Sequence, residues 1–355
     1  MWRLRQHRRR DRSRGAGAHR VKTFEFRHAT SVDDAVTAGT APGTKFLAGG
    51  TNLLDLMKGG VEQPESLIDL RRLGLTTIAP TAEGGVFIEA GVSNSAVANH
   101  PLIRTQYPVL SHAILSGATT QLRNMATAGG NLLQRTRCPY FMQTTFSSCN
   151  KRDPGSGCAA RHGFHREHAV FGASADCVAI HPSDMAVALA ILDAVVHVQG
   201  PDGRRTIPIE GFFALPGDTP EVDNTLGTGE LVLGIELPPS RFADHSWYLK
   251  VRDRHSYAFA LVSVAAGLHV TDGVIDSAAL ALGAVAAMPW RLREAEAVLV
   301  GRAPGDEAFH AAARLAMNGA EPLAQNAFKV DLGRHSVVRA LTRAAAVRID
   351  DEDQP

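Results

Sequence analysis

Four cysteines and two glycine pairs are the residues of this 355-residue sequence whose types and spacing could do chemistry. Every cysteine of the chain falls between positions 138 and 177, at Cys138, Cys149, Cys158 and Cys177. Thiolates bind soft metal ions and iron–sulfur clusters. Glycines let backbone N–H groups approach a phosphate closely. The two features therefore raise a metal centre and a phosphate-containing cofactor as the chemistry to test.

The cysteine spacings are C-x10-C, C-x8-C and C-x18-C, unlike the C-x2-C pairs of zinc sites or the compact runs of ferredoxins. Four interpretations compete: two disulfides, a structural zinc, a four-iron cluster and unpaired buried thiols. Disulfides are disfavoured because a chain of this length buries enough core without them. Scattered thiols would not need to collect in one proline- and glycine-rich segment. A metal centre could order that segment, and the spacing leaves zinc and iron–sulfur both open.

The glycine pairs lie in "FLAGGTNLL" and "RNMATAGGNLL". Two such loops together could hold both halves of a pyrophosphate, whereas a single Gly-Gly is more often an ordinary turn. Neither matches the Rossmann or P-loop pattern, so those folds have no support. Neutral donors flank the glycines, and the residues concerned are Gly49, Gly50, Thr51, Asn52, Thr127, Gly129, Gly130 and Asn131.

The elements that must position these residues alternate between strands and helices as far as the cysteine stretch, which indicates a mixed α/β domain. We predict strands over residues 23–27, 66–71 and 85–91, a helix over 32–38 capped by Ser31, and a pair of helices broken at Pro101 and Pro108. Ser183 caps a helix over residues 184–192, followed by a hairpin that turns at 201–203.

The rest of the chain reads as an antiparallel sheet followed by two or three helices, with a domain edge at Pro238 and Pro239. Residues 1–20 carry eight arginines against one aspartate. We interpret them as a basic tail or as a mis-assigned start before Val21, because no apolar segment of a signal peptide follows.

Without this tail the body has 29 basic and 35 acidic side chains, a net charge of −6. No basic stripe supports nucleic-acid binding, and no apolar run is long enough to span a membrane.

Taken together, "KFLAGGTNLL", "GATTQLRNMATAGGNLL", "HPSDMAVALAIL", "ELVLGIELP" and "YLKVRDRHSYAFALVSVAAG" resemble, in order and spacing, the FAD-binding medium subunit of the molybdenum hydroxylases. That family includes xanthine dehydrogenase, carbon monoxide dehydrogenase and bacterial aldehyde oxidoreductases. The resemblance implies an α+β chain. A two-part FAD-binding domain of the vanillyl-alcohol-oxidase/PCMH type over residues 21–238 would precede a C-terminal domain of antiparallel sheet and helices over residues 241–348.

The resemblance also implies which residues contact FAD. Residues 46–53 would wrap the pyrophosphate, and Asp184 would hold an FAD hydroxyl. The second phosphate loop would be formed by Thr127, Gly129, Gly130 and Asn131. Gly117 stands where xanthine dehydrogenases carry an aromatic residue over the flavin, a departure that speaks against NAD as the acceptor. The full set of predicted contacts is Phe46, Leu47, Ala48, Gly49, Gly50, Thr51, Asn52, Leu53, Gly117, Ala118, Thr127, Gly129, Gly130, Asn131, Asp184, Val232 and Lys250.

About fifty residues separate Asn131 from Asp184, where most of the family has about ten. An insertion of this size with four cysteines resembles the flavin subunit of periplasmic-type aldehyde oxidoreductases, which carries an extra [4Fe-4S] cluster. The resemblance therefore implies a cluster bound by Cys138, Cys149, Cys158 and Cys177 within residues 137–177. The nearby histidines, at 162, 165, 168 and 181, are predicted to lie at the surface or beside the ligands without binding the metal.

The function implied is electron transfer. A partner large subunit would oxidise an aldehyde at its molybdenum cofactor, a small subunit with two [2Fe-2S] clusters would pass the electrons on, and FAD here would deliver them to an external acceptor. No catalytic residue for the aldehyde is expected on this chain. A structural role is favoured for the extra cluster. The alternatives are a stand-alone FAD oxidoreductase and a zinc-stapled interaction subunit. The compartment is expected to be the cytoplasm, or the periplasm by co-export with a signal-bearing partner.

Overall fold

The computed structural model describes residues 21–346. The predicted basic tail, residues 1–20, and the last two residues of the predicted C-terminal domain lie outside the described residues. In the part described, no helix is long and apolar enough to cross a membrane.

A small parallel sheet with two helices forms the first lobe. Its strand order is β1-β3-β2, and β1 pairs with β3 from Glu25 opposite Ser66. The predicted first strand therefore begins later than expected, because its partner strand starts at Ser66. Ser31 caps the first helix as predicted, since its Oγ accepts the Asp34 N–H at 3.1 Å. The elements are β1 (Glu25–His28), α1 (Val32–Gly39), β2 (Thr44–Leu47), α2 (Leu53–Lys58) and β3 (Ser66–Asp69).

The second lobe is an antiparallel sheet in the order β4-β5-β8-β6-β7. Its strands are β4 (Ile78–Pro80), β5 (Val86–Glu89), β6 (Val195–Gly200), β7 (Gly203–Pro208) and β8 (Leu231–Leu237). The hairpin at residues 201–203 is confirmed, while the short strand β4 was not predicted.

Helices of the second lobe pack on this sheet around Leu110, Leu189 and Ile235. The predicted helix pair at Pro101 and Pro108 is wrong, because the segment contains three helices. Each proline is the first residue of a helix, where its missing N–H costs no hydrogen bond. The helices are α3 (Asn94–Asn99), α4 (Pro101–Gln106), α5 (Pro108–Ser116), α6 (Thr120–Met125), α7 (Ala128–Leu132) and α9 (Asp184–Ile191).

The cysteine segment contains little regular structure, as its composition predicts. One short helix, α8 (Pro139–Met142), follows Cys138. Phe141 and Cys149 pack against Leu56 of α2, the helix that follows the first glycine pair. The insertion therefore packs on its neighbours, on the first lobe through Phe141 and Cys149 and on the C-terminal domain through Val170 and Phe171, rather than forming a core of its own.

The C-terminal sheet, in the order β12-β11-β10-β9, is antiparallel, as predicted. Alternate residues of β10 face opposite sides: Val264 and Ala266 pack against the C-terminal helices, while Ala265 joins the core of the second lobe. Tyr248 of β9 also joins the second lobe, so Lys250, two residues further on, lies on the same face. The elements are β9 (Ser246–Val251), β10 (Val262–Thr271), β11 (Val274–Gly283), β12 (Trp290–Arg291), α10 (Arg293–Leu299), α11 (Asp306–Ala316) and α12 (Phe328–Ala346).

Candidate functional site

The first glycine pair packs directly against the segment that leads into the second pair. Gly50 has φ +74°, a left-handed conformation that glycine adopts without strain. A Cβ atom added to Gly49 would lie 1.9 Å from the carbonyl oxygen of Met125, at the end of α6. Only glycine permits this approach, so the residue type at position 49 brings the two predicted phosphate-binding segments together.

Asn52 is oriented by the chain that leaves the second pair. Its Oδ1 accepts the backbone N–H of Arg135 at 3.0 Å, while its Nδ2 is buried and has no hydrogen-bond partner. A buried amide nitrogen without an acceptor is costly in a folded protein unless a ligand supplies one. The side chain of Asn52 therefore suits a phosphate oxygen of the predicted pyrophosphate.

The loop predicted at the second glycine pair is wrong, because this pair lies in the short helix α7. Thr127 caps this helix, because its Oγ1 accepts the Gly130 N–H at 3.2 Å. The Gly129 N–H donates to the carbonyl of Ala90 at 2.9 Å, which ties α7 to the end of β5. The sequence resembled a loop because "TAGGN" is too short and glycine-rich to show a helical period.

Asn131 and Asp184 come together although 52 residues separate them in the sequence. The Ser183 Oγ donates to Asn131 Oδ1 at 2.6 Å and also accepts the Ala186 N–H, which caps α9. Asp184 is the first residue of that helix. The cysteine insertion thus leaves and re-enters the second lobe at adjacent points, and it does not separate the predicted FAD contacts.

The carboxylate of Asp184 is paired with the C-terminal domain. Lys250 Nζ donates to its Oδ2 and Tyr248 Oη to its Oδ1, both at 2.7 Å. The side chains of Asp184 and Lys250 are 11% and 4% exposed. Burial and the neighbouring carboxylate raise the pKa of Tyr248 well above its ordinary value, so its hydroxyl stays a donor. Tyr248 was not predicted, because only the fold brings it to Asp184.

Gly117 lies beside this ion pair, and Ala118 follows it in the chain. Lys250 Nζ also donates to the carbonyl of Ser116 at 3.2 Å. A Cβ atom at Gly117 would be 3.0 Å from Asp184 Oδ2, so a larger residue there would press on the carboxylate. Ala118 has φ +53°, a strained conformation for a residue other than glycine, of the kind that concentrates at functional sites.

Three of the residues predicted to contact FAD direct their side chains into the hydrophobic core. Leu47 packs with Met57 and Leu67, Phe46 packs against the first-lobe cluster, and Val232 is only 3% exposed within the second-lobe core. Any contact that Phe46 or Leu47 makes with a ligand would use its backbone. The remaining predicted residues of this segment, Ala48, Thr51 and Leu53, are half-buried.

The four cysteines line one small cavity, together with Tyr140, Asn150 and Lys151. All four thiols are free. Within residues 21–346, however, no group of three His, Cys, Asp or Glu side chains is arranged to hold a metal ion. The four cysteines therefore share one cavity, and a metal centre within it is a matter for proposal.

Burial raises the pKa of Cys138 to about 12 and that of Cys177 to about 11. Uncharged thiols at neutral pH would lose their protons on binding a metal. The prediction for the histidines is only partly confirmed: His162 is exposed and His181 is half-buried, but His165 and His168 are buried. His168 lies beside a predicted ligand, with Nε2 3.1 Å from Cys138 Sγ.

Comparison with known proteins identifies both halves of the chain. Residues 22–240 match the model of the FAD binding domain in molybdopterin dehydrogenase, and residues 247–344 match the CO dehydrogenase flavoprotein C-terminal domain. The aldehyde oxidoreductase FAD-binding subunit PaoB of Escherichia coli K12 is 49% identical over 92% of this chain and 99% of its own length.

More distant relatives agree with this match. The carbon monoxide dehydrogenase medium chain of Hydrogenophaga pseudoflava is 28% identical over 91% of this chain and 97% of its own length. A solved structure of that enzyme superimposes with a TM-score of 0.71 at 26% identity, covering 91% of this chain and 97% of that one. The chain therefore belongs to the family of FAD-binding medium subunits of the molybdenum hydroxylases.

Proposed function

We propose that this chain is the FAD-binding electron-transfer subunit of a heterotrimeric molybdenum-containing aldehyde oxidoreductase. The carrying observation is that the predicted FAD contacts, from four separate stretches of sequence, form one continuous path. Gly49 packs on Met125, Asn131 bonds to Ser183, and Asp184 bonds to Lys250. The name of the Escherichia coli relative supports an aldehyde as the substrate class of the complex.

Along this path each residue would have a distinct task. The backbone around Gly49 and Gly50 would surround the pyrophosphate closely, and Asn52 Nδ2 would donate to it. Asp184 would accept from an FAD hydroxyl while Lys250 keeps its charge compensated. When bound, FAD supplies the redox chemistry, since it can exchange electrons singly or in pairs, and the protein positions it and tunes its potential.

We also propose that the cavity of Cys138, Cys149, Cys158 and Cys177 holds a [4Fe-4S] cluster. Four thiolates satisfy such a cluster, and the insertion has little apolar core with which to order itself. A structural role is favoured over a relay, because a segment with so little apolar core of its own needs a bound centre to order it against α2. Comparable bleaching rates of cluster and flavin after aldehyde is added would contradict that preference.

The partners would be a large subunit with the molybdenum cofactor and a small subunit with [2Fe-2S] clusters. Gly117 disfavours NAD as the external acceptor, because it lacks the aromatic side chain that xanthine dehydrogenases carry over the flavin, and a side chain there would crowd Asp184. We further propose that the complex resides in the cytoplasm, or in the periplasm if a signal-bearing partner carries the folded chain out. Cell fractionation with and without that partner's signal distinguishes the two.

Two other functions make different predictions. A stand-alone FAD oxidoreductase would turn over a substrate without partner chains. A zinc-stapled interaction subunit would contain zinc and no flavin. The buried, unpartnered Nδ2 of Asn52 disfavours the second, because a module without a ligand there would leave the amide unsatisfied.

The composition of the purified complex tests the proposal. The protein is purified with the products of its neighbouring genes, and FAD, iron, zinc and sulfide are measured per chain after the partners are separated. We expect one FAD with about four irons and four sulfides on this chain. Zinc without iron would overturn the cluster, and a colourless chain would overturn the flavin assignment.

A further inference from the structure

The imidazole of His168 lies against a predicted cluster ligand in a buried position. His168 is 3% exposed, and its Nε2 is 3.1 Å from Cys138 Sγ. Its Nδ1 is buried and has no hydrogen-bond partner. A buried N–H without an acceptor is costly, which favours the tautomer in which Nε2–H points at the sulfur.

Two residues of the C-terminal domain fix the backbone of His168. Asn326 Nδ2 donates to the carbonyls of His168 and Ala169, both at 3.1 Å. Lys329 Nζ donates to the carbonyls of Glu167 and His168 at 3.0 Å, and to that of Ala284 at 2.8 Å. Asn326 and Lys329, called here the carbonyl clamp, are each 0% exposed.

Burying the side chains of Asn326 and Lys329 away from water costs free energy, so their place in the carbonyl clamp needs an explanation. Burial lowers the pKa of Lys329 to about 7. Its ammonium group donates to three backbone carbonyls rather than to a carboxylate. Surface residues could hold the insertion at lower cost. The clamp instead restrains the backbone of His168, whose ring contacts Cys138.

We propose that His168 donates an Nε2–H···S hydrogen bond to the Cys138 thiolate and raises the reduction potential of the centre bound there, with Asn326 and Lys329 acting as positioning residues. A hydrogen bond to a ligand sulfur withdraws negative charge and stabilises the more negative, reduced form. This inference rests on the proposed function, because it takes Cys138 as a ligand of an iron–sulfur cluster.

The test compares variants of the complete complex by redox titration of the cluster's electron paramagnetic resonance signal. His168→Phe and His168→Met remove the N–H donor, whereas His168→Gln offers an amide N–H near the position of Nε2. His162→Phe, at an exposed histidine of the same segment, is the control. Lys329→Met tests the carbonyl clamp. Iron and FAD per chain are measured for every variant.

We expect His168→Phe and His168→Met to keep their iron and to show at least a threefold lower ratio of reduced to oxidised cluster at a fixed ambient potential. His168→Gln should recover most of that ratio, Lys329→Met should shift it partly, and His162→Phe should not change it. An unchanged ratio in either iron-loaded donorless variant would overturn the inference. So would loss of iron from both while His168→Gln retains it. Absence of iron from the wild-type chain would instead overturn the proposed cluster.

Discussion

Lys250 Nζ lies 2.7 Å from Asp184 Oδ2, and this buried ion pair joins the C-terminal sheet to the first turn of α9. The pair connects two ends of the predicted flavin site that are far apart in sequence. Because both side chains are almost inaccessible to water, either charge alone would be poorly solvated. The pair therefore makes the site depend on how the C-terminal domain packs.

We expect Lys250→Met to lower the free energy of unfolding by about 3–5 kcal/mol, because it leaves Asp184 buried without its counter-charge. Chemical denaturation of the flavin-free chain measures this change. The double variant Lys250→Met with Asp184→Asn should lose less than the single Lys250→Met variant, since both charges are then gone. A double variant that is less stable than Lys250→Met would contradict the account.

Gly49→Ala should reduce the affinity for FAD by about tenfold or more, roughly 1.4 kcal/mol. The new methyl group would collide with the Met125 carbonyl and separate the two glycine segments. Flavin fluorescence titration gives the affinity. Gly211→Ala is the matched control, because a Cβ atom there meets nothing within 4 Å. Equal FAD affinities in the two variants would show that the close approach of Gly49 to the Met125 carbonyl does not contribute to FAD binding.

Asn52→Asp should also weaken FAD binding, by about 10- to 100-fold, in line with the worth of a hydrogen bond to a charged group. The aspartate keeps an acceptor for the Arg135 N–H but replaces the free amide donor by a negative charge facing the pyrophosphate. Isothermal titration with FAD measures the effect. Asn99→Asp, at an exposed asparagine of α3, is the control. Wild-type affinity in Asn52→Asp would show that Asn52 does not contact the phosphates.

His181 predicts a pH dependence of stability. Burial lowers its pKa to about 4, below the ordinary value of 6.5. Between these values the unfolded chain takes up a proton that the folded chain does not, so stability falls as the pH decreases from 6.5 to 4. His181→Leu should reduce this pH-dependent loss in the free energy of unfolding by an amount on the order of 3 kcal/mol.

Denaturation curves at pH 7 and pH 4.5 measure the effect of His181→Leu, with His162→Leu at an exposed position as the control. The wild-type chain and the control should lose stability in parallel. Parallel loss in His181→Leu as well would show that the ring is accessible to protons in the folded state.

Much of the site could be predicted from local sequence. The first glycine pair, the Ser183 cap and Asp184 are short-range signals, and their backbone consequences appear as expected, whereas the second glycine pair lies in a helix instead of a loop. The helices around Pro101 and Pro108 were miscounted because a proline at a helix start and a proline that breaks a helix have the same local pattern.

Other site residues depend on contacts between distant parts of the chain and carry no local signal. Tyr248 reaches Asp184 only because the C-terminal sheet packs on α9. Arg135 joins Asp223 and Glu62, with both contacts at 2.7 Å, only because the fold brings three distant stretches of the chain together. The alternation of β9 could have indicated that Tyr248 and Lys250 share a face, but not what they meet.

The most direct test of the central claim is anaerobic reduction by an aldehyde. The flavin absorbance of this chain is followed by stopped-flow spectroscopy in the purified complex and in the isolated, FAD-loaded chain. The account predicts that aldehyde bleaches the flavin rapidly in the complex and not in the isolated chain, because substrate oxidation occurs on a partner. Flavin reduction in the isolated chain, or an unreduced flavin in a complex that oxidises aldehyde, would contradict it.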